Sequence, residues 1–141
     1  MKVVYTTRAT ATGGGRDGLA RVEDGDLAVR LVVPKEMGGP GGDGTNPEQL
    51  FATGYSACFL GALRFVAGKE KVQIPAEATV TATVGIGPRD DGAGFGITAE
   101  LAIHVPGLDR ETVESLVQKA HIVCPYSHAT RGNVDVKLSV A

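Results

Sequence analysis

The spacing of apolar positions along the chain predicts several short strands and two helices. Apolar and polar residues alternate, or β-branched residues cluster, in stretches bounded by glycine and proline, which is typical of strands. The predicted strands cover residues 3–12, 19–23, 27–33, 76–86 and 95–105, and a last one contains Val134, Val136, Leu138 and Val140. Because strands and helices are grouped by type more than they alternate, the pattern indicates an α+β fold class.

The dipeptide Asp24-Gly25 lies between the second and the third of these strands. It predicts a tight hairpin, because both central positions of such a turn need positive φ, which this dipeptide tolerates. A glycine-rich connector over residues 37–44 then leads to the first helix.

A long apolar stretch in the first half of the chain predicts that first helix. Asn46 is its expected cap, Pro47 suits the first helical position, and Gln49 is placed to complete a capping box. The helix is expected to stop at Gly68. Its middle, residues 50–63, is apolar on nearly every face. The few strands of one chain of this length would not cover such a helix, so we expect a dimer in which a second subunit covers part of it.

The second helix is amphipathic. Asp109 is its expected cap, and it carries a single apolar stripe formed by Val113, Leu116, Val117 and Ala120. We expect it to end near Val123, because Pro125 disfavours helical geometry at Cys124. A short turn over residues 127–131 is predicted to lead into the last strand.

Length and charge exclude several classes of protein. A chain of 141 residues predicts one domain, residues 1–141. The net charge of -2, without a basic cluster, argues against nucleic-acid binding, which needs clustered Lys and Arg. The longest uncharged run, residues 49–63, is shorter than the about 20 residues of a membrane helix. The first residues lack the apolar core of a secretion signal, so we expect a cytoplasmic protein.

Two cysteines in a reducing compartment argue against a structural disulfide and leave room for a transient redox one. Their number alone favours two inert buried thiols. Cys58 lies about three turns into the first helix, too far for the helix dipole to act on it. Apolar surroundings would raise the pKa of its thiol, so a reactive Cys58 needs a cation from elsewhere.

Arg16 is the better candidate for that cation, because it lies in a Gly-flanked loop that is able to fold over the helix. Arg64, on the helix itself, lies on a different face from Cys58. Glu48 has two interpretations. It either complements the helix dipole in the first turn or holds Arg16 in a bidentate ion pair near the sulfur.

The second cysteine, Cys124, lies at a non-helical junction that would allow it to approach the first. With His121 and His128 it also forms an H-x2-C-x3-H spacing, which makes a zinc site an alternative. That spacing fits no closed four-ligand pattern, so ordinary surface or helix-end histidines are the favoured interpretation.

Three motifs together resemble the organic hydroperoxide resistance (Ohr) proteins more than their OsmC relatives. Residues 45–52 (TNPEQLFA) and 54–59 (GYSACF) resemble the central helix of that family. Residues 123–127 (VCPYS) and 129–133 (ATRGN) resemble its second cysteine motif, and residues 15–18 (GRDG) resemble its arginine loop. The motifs come in the family's order, and the resemblance covers nearly the whole chain.

The resemblance implies an OsmC/Ohr-like fold, an intertwined homodimer with antiparallel sheets wrapped around central buried helices and active sites at the subunit interface. It implies that Cys58 is the peroxidatic thiol, Cys124 the resolving thiol, Arg16 the activating cation and Glu48 its anchor. The family works without metal or haem. Its reductant is dihydrolipoamide, typically on lipoylated proteins.

The activity implied by the resemblance is thiol-dependent reduction of organic hydroperoxides, alkyl or fatty-acid, to alcohols. We expect Met37, Phe51 and Tyr126 to form an apolar wall that buries the alkyl tail. His128 departs from the family, which usually has Asn there. Two alternatives from other classes remain, a non-catalytic module that binds a lipid-like ligand and the zinc-binding domain.

Overall fold

The computed structural model describes residues 1–141, which form two compact units, residues 1–50 and 51–141. Two small sheets and three helices confirm the α+β class. The expectation of a single domain stays a prediction. The elements are β1 (Ala9–Thr12), β2 (Leu19–Val22), β3 (Ala28–Arg30), α1 (Pro47–Lys69), β4 (Thr79–Pro88), β5 (Phe95–His104), α2 (Arg110–Val123), α3 (Pro125–Thr130) and β6 (Val136–Val140), with a 3₁₀ turn at Lys35–Met37.

The first unit contains an antiparallel sheet in the order β1-β2-β3. The strand predicted for residues 3–12 begins only at Ala9, and the apolar side chains before it are exposed. The hairpin between β2 and β3 is confirmed, but not its tight turn. Val22 N–H donates to the carbonyl of Leu27, which leaves a wider loop of the kind usually built without positive φ. Neither Asp24 nor Gly25 has positive φ.

The start of α1 is confirmed. Asn46 Oδ1 accepts a hydrogen bond of 2.8 Å from Gln49 N–H, which satisfies one of the free donors of the first turn. The predicted stop at Gly68 is wrong, because the helix continues to Lys69. It ends where Lys71 takes a φ of 58°. Val72 N–H then donates to the carbonyl of Ala67 at 2.9 Å, as in a Schellman motif.

Replacing Lys71 with glycine is expected to stabilise the protein by about 0.5–1 kcal/mol. Left-handed geometry costs a residue with a Cβ roughly 1–2 kcal/mol, and the extra freedom of glycine in the unfolded chain returns about 0.4–1 kcal/mol of this. Lys69→Gly is the matched control, because it places glycine inside the last helical turn and should destabilise by about 1 kcal/mol. Denaturant unfolding measures the free energy of unfolding of both variants. Changes of the same sign in the two would contradict this account of the helix end.

The second unit contains a sheet in the order β4-β5-β6. β4 and β5 form an antiparallel hairpin, whereas β5 and β6 are parallel. Parallel neighbours need a crossover connection, and α2 and α3 supply it. This sheet is therefore mixed, where the resemblance implied antiparallel sheets. The core contains residues from α1, β5 and α2, including Tyr55, Phe59, Leu63, Leu101, Ile103, Leu116 and Val117.

The predicted second helix agrees closely with α2. Asp109 Oδ2 accepts from Thr112 N–H at 2.9 Å as the cap, and the whole predicted stripe is buried. The helix ends at Val123 as expected. The turn predicted after it is wrong, because residues 125–130 form the short helix α3. Proline suits the first position of a helix as well as the end of the previous one, and Pro125 does both.

The central helix α1 is buried on one side only within the chain. Tyr55, Phe59 and Leu63 are fully buried, whereas Phe65 is 57% exposed. By length and composition alone α1 is apolar enough to cross a membrane, but the core helix of a soluble protein meets the same criterion. Its exposed apolar surface is consistent with the predicted cover by a second subunit, which stays a prediction.

Candidate active site

The two cysteine sulfurs lie side by side. Cys58 is half-buried on α1, and Cys124 is fully buried at the junction of α2 and α3. Their Sγ atoms are 3.6 Å apart, and both thiols are free. A disulfide needs an S–S distance of about 2.05 Å, so a shift of about 1.5 Å would join them. The fold therefore brings together the two cysteines that are expected to form a disulfide.

The surroundings of Cys58 disfavour its ionised form. Burial, the largest influence, raises the pKa of the Cys58 thiol, and the neighbouring Cys124 thiol raises it further. The backbone N–H of Tyr126 donates to the sulfur and lowers that pKa, without reversing the direction. Because the thiolate is the nucleophile, chemistry at this sulfur needs positive charge in addition to that amide.

Arg16 and Glu48 form the bidentate ion pair predicted for them in the first unit. Arg16 Nη1 donates to Glu48 Oε2 at 3.0 Å, and Nη2 donates to Oε1 at 2.7 Å. The pair lowers the pKa of the Glu48 carboxyl and raises the pKa of the guanidinium. Glu48 is 13% exposed and Arg16 39% exposed, so the anchor is enclosed while the cation stays accessible. Their role at the sulfur stays a prediction.

The loop that carries Arg16 is tightly folded. Gly13 and Gly15 have positive φ, at 69° and 77°. A Cβ on Gly18 would come within 1.8 Å of the carbonyl oxygen of Thr12, so only glycine fits there. These three glycines bring the ends of the loop together.

Three aromatic rings pack together near the start of α1, in the second unit. The rings of Phe51, Tyr55 and Tyr126 lie in mutual contact, with centroids 5.7–6.0 Å apart. The ring of Tyr126 lies close over Gly54, where a Cβ would come within 2.8 Å of its hydroxyl oxygen. Met37, the third residue of the predicted wall, ends the 3₁₀ turn of the first unit and is 37% exposed. The wall as a substrate site stays a prediction.

Sequence reasoning assigned no role to a buried polar network beside the thiols. Tyr55 Oη lies 2.9 Å from Ser127 Oγ and 3.3 Å from Thr130 Oγ1. His121 Nδ1 lies 2.9 Å from the same Ser127 oxygen. The sequence does contain one indication of this network. Polar residues recur at intervals of three, at His121, Cys124, Ser127 and Thr130. Gly54 was a second signal, since glycine inside a helix costs about 1 kcal/mol unless something approaches it closely.

The zinc alternative finds no support in the geometry. No group of three or more His, Cys, Asp or Glu side chains is placed to hold a metal ion. His121 contacts Ser127, and burial and the charge of Arg131 lower the pKa of its imidazole. His128 is exposed on α3. The H-x2-C-x3-H spacing therefore does not produce a metal site here.

Comparison with known proteins gives one consistent result. The family model described as "OsmC-like protein" matches residues 39–139. The organic hydroperoxide resistance protein of Xanthomonas axonopodis pv. citri (strain 306) is 56% identical over 140 residues, covering 99% of this chain and 96% of that protein. A crystal structure of an organic hydroperoxide resistance protein from Elizabethkingia anophelis, with thiocyanate bound, has a TM-score of 0.93 at 50% identity and covers 100% of this chain and 99% of that one. The crystal structure of OhrB of Bacillus subtilis has a TM-score of 0.90 at 43% identity, covering 99% and 100%.

Proposed function

Since the chain belongs to the OsmC-like family and is similar over its whole length to organic hydroperoxide resistance proteins, we propose that it is a thiol peroxidase that reduces organic hydroperoxides to alcohols. The observation that carries this proposal is the 3.6 Å distance between Cys58 Sγ and Cys124 Sγ. An oxidised Cys58 would have a second thiol within reach of a small movement. Two inert buried cysteines would need no such pairing.

In the first step the Cys58 thiolate attacks one oxygen of the peroxide bond. That bond breaks, the sulfur becomes a sulfenic acid, and the other oxygen leaves as an alcohol after taking up a proton. Arg16 supplies the positive charge that the buried sulfur lacks, and its remaining N–H groups stabilise the charge that develops on the peroxide oxygens. Glu48 holds the guanidinium in place through both of its carboxylate oxygens.

In the second step the Cys124 thiol attacks the sulfenic sulfur, and water leaves as the disulfide forms. Rapid closure protects Cys58, because a sulfenic acid that meets more peroxide is oxidised irreversibly to the sulfinic acid. A dithiol then reduces the disulfide by exchange and restores both thiols. Following the family, the reductant is dihydrolipoamide on a lipoylated protein, and no bound cofactor takes part.

The preferred substrate carries an apolar tail. The ring of Phe51, on the same helix as Cys58, packs against the ring of Tyr126. Met37 is proposed to complete the wall in the working enzyme. Phe51 also lines an open groove of about 910 Å³ with Phe95, Ile97 and Val134, which offers room for a longer chain. Each CH₂ group buried contributes about 0.8 kcal/mol, so a few of them favour an organic hydroperoxide strongly over hydrogen peroxide.

We also propose that the working protein is a cytoplasmic homodimer. The apolar face of α1 that includes Phe65 is exposed in the single chain, and so are Val4 and Tyr5 in the N-terminal segment. A second copy would cover such surfaces, which isolated soluble chains rarely leave open. We propose neither a metal ion nor a nucleic acid as a partner of this dimer.

The test adds one equivalent of an organic hydroperoxide to the fully reduced protein. We expect one alcohol and one Cys58–Cys124 disulfide for each chain, seen by intact mass as a loss of about 2 Da with both thiols consumed. An unreactive dialkyl ether of the same length serves as the control for mere binding. Tight binding of either compound without any change in mass would favour the lipid-binding module instead.

A further inference from the structure

The residues around Cys124 form a line of polar side chains on one side of the α2–α3 segment. His121, Cys124, Ser127 and Thr130 are spaced at intervals of three across the junction. Cys124 contacts Cys58 on α1, and Ser127 contacts Tyr55 on the same helix. Tyr55 and Cys58 are themselves three residues apart, so their side chains lie on neighbouring turns of one helical face.

The segment therefore contacts α1 through two adjacent pairs, one of thiols and one of hydroxyls. The Sγ atoms of Cys58 and Cys124 are 3.6 Å apart, and Tyr55 Oη is 2.9 Å from Ser127 Oγ. Along α1 the contacts run from Tyr55 to Cys58, and their partners run back from Ser127 to Cys124. The two segments are therefore antiparallel where they touch. Sliding α3 along α1 would separate both pairs together, and a hydrogen bond tolerates only a few tenths of an ångström.

Ser127 is the centre of the hydroxyl contacts. Its Oγ lies 2.9 Å from both Tyr55 Oη and His121 Nδ1. A hydroxyl has one proton and two lone pairs, so it can donate to one neighbour and accept from the other whichever nitrogen of His121 is protonated. Thr130 Oγ1 donates to the Ser127 carbonyl at 3.1 Å and lies 3.3 Å from Tyr55 Oη.

Burial makes this network rigid. Tyr55 and Ser127 are fully buried, Thr130 is 5% exposed, and no buried side-chain nitrogen or oxygen in the chain lacks a partner. Removing one member would leave a buried polar group unsatisfied, and a fully satisfied network holds its members in one arrangement. Ser127 thus ties α3 to α1 through Tyr55 and to α2 through His121.

We propose that Ser127, held by His121 and Tyr55, is a positioning residue that fixes Cys124 against Cys58 and so favours their disulfide. The inference rests on the proposed function, in which these two thiols are joined. Its physical basis is proximity, because a thiol held close to its partner reacts at a far higher effective concentration than a free one. Ser127 itself touches neither sulfur in this role and acts through the placement of α3.

The test uses the full chain and no peroxide. The protein is equilibrated with mixtures of reduced and oxidised dithiothreitol, in which its two thiols give up two protons and two electrons and oxidised dithiothreitol becomes the dithiol. Ser127→Ala is expected to lower the equilibrium constant for the Cys58–Cys124 disulfide at least about tenfold, which moves the potential by about 30 mV to less negative values. A residue that only contributed to overall stability would leave that potential unchanged.

A matched pair at His121 supplies a second measurement. Asn retains a polar group near the position of Nδ1, and Leu does not. His121→Asn is expected to keep the disulfide constant within about threefold of the native value, whereas His121→Leu lowers it about tenfold. His128→Leu is the control, because it removes an exposed imidazole from the same short helix without touching Ser127.

The outcomes separate this inference from the proposed function. A native constant in Ser127→Ala overturns the inference and leaves the peroxidase proposal standing. If Ser127→Ala does not fold, equal constants in the two His121 variants overturn it. A native protein that forms no disulfide even with one equivalent of an organic hydroperoxide overturns both.

Discussion

Replacing Cys58 with serine is expected to abolish peroxide reduction completely. A serine hydroxyl is hardly ionised near neutral pH, and it lies where nothing removes its proton, so it offers the peroxide no nucleophile. The Cys58→Ser variant should consume an organic hydroperoxide no faster than buffer alone. Its overall fold should persist, because serine differs from cysteine by one atom at a half-buried position.

Cys124→Ser is the matched control, since it removes the other thiol and leaves the proposed nucleophile. We expect one round of reduction followed by arrest. Without a resolving thiol, excess hydroperoxide should convert Cys58 to the sulfinic acid, a gain of about 32 Da by intact mass. Sustained turnover by Cys58→Ser would refute the assignment of the nucleophile. In Cys124→Ser without any dithiol, a Cys58 as resistant to over-oxidation as in the native protein would refute the resolving role.

The helices were predictable because their signals are local. The cap of α1 depends on residues within one turn, and Asn46 takes the capping role that its type suggests. The buried stripe of α2 follows from its own periodicity. The end of α1 was not predictable in this way. Glycine is the usual residue at a helix end and Gly68 was predicted there, yet the structure places Lys71, three residues further on, in the left-handed position.

The strands were less predictable because pairing decides them. Residues 3–8 have suitable types, yet no strand of the same chain pairs with them, and a strand exists only with its partner. Asp24-Gly25 suits a tight turn, but the register of β2 with β3 leaves a wider loop. The parallel pairing of β6 with β5 depends on a crossover that no local pattern reveals.

The candidate site shows the same limit. Residue types marked Cys58 and Cys124 as candidates, but their separation in sequence gave no reason to expect contact between their sulfurs. The structure supplies that contact, and with it the hydroxyl pair of Tyr55 and Ser127, which are equally remote in sequence. The family resemblance implied the thiol pair. It did not point to Ser127, because a serine within a motif can serve many different structural roles.

The chemistry of the site turns on an electrostatic conflict. The fold brings the two thiols into contact at a partly buried position, and that burial raises the pKa of the thiol that must ionise. One backbone amide offsets this only in part. The conflict is resolved if a cation approaches during the reaction. A guanidinium suits the task, because it stays charged at all relevant pH values and a carboxylate can hold it in a fixed orientation.

Replacing Arg16 with alanine is therefore expected to raise the pKa of the Cys58 thiol by about one pH unit or more. Removal of a nearby positive charge destabilises the thiolate relative to the thiol, so ionisation requires higher pH. At a pH well below that pKa, the fraction of Cys58 present as thiolate falls about tenfold for each unit by which the pKa rises. The rate of reaction with an organic hydroperoxide should fall accordingly at neutral pH, and its pH profile should move to higher pH. The absorbance of the thiolate in a Cys124→Ser background measures the titration directly.

Arg8→Ala is the matched control, because Arg8 also pairs with a glutamate of the first unit, Glu23, but at the surface with 80% of its side chain exposed. It should leave both the titration and the rate unchanged. Arg16→Lys should fall between the native protein and Arg16→Ala, since lysine keeps the charge and loses the bidentate contact with Glu48. If Arg16→Ala leaves the Cys58 titration where it was, the guanidinium has no part in activating the sulfur. The positive charge must then come from another cation of the assembled protein.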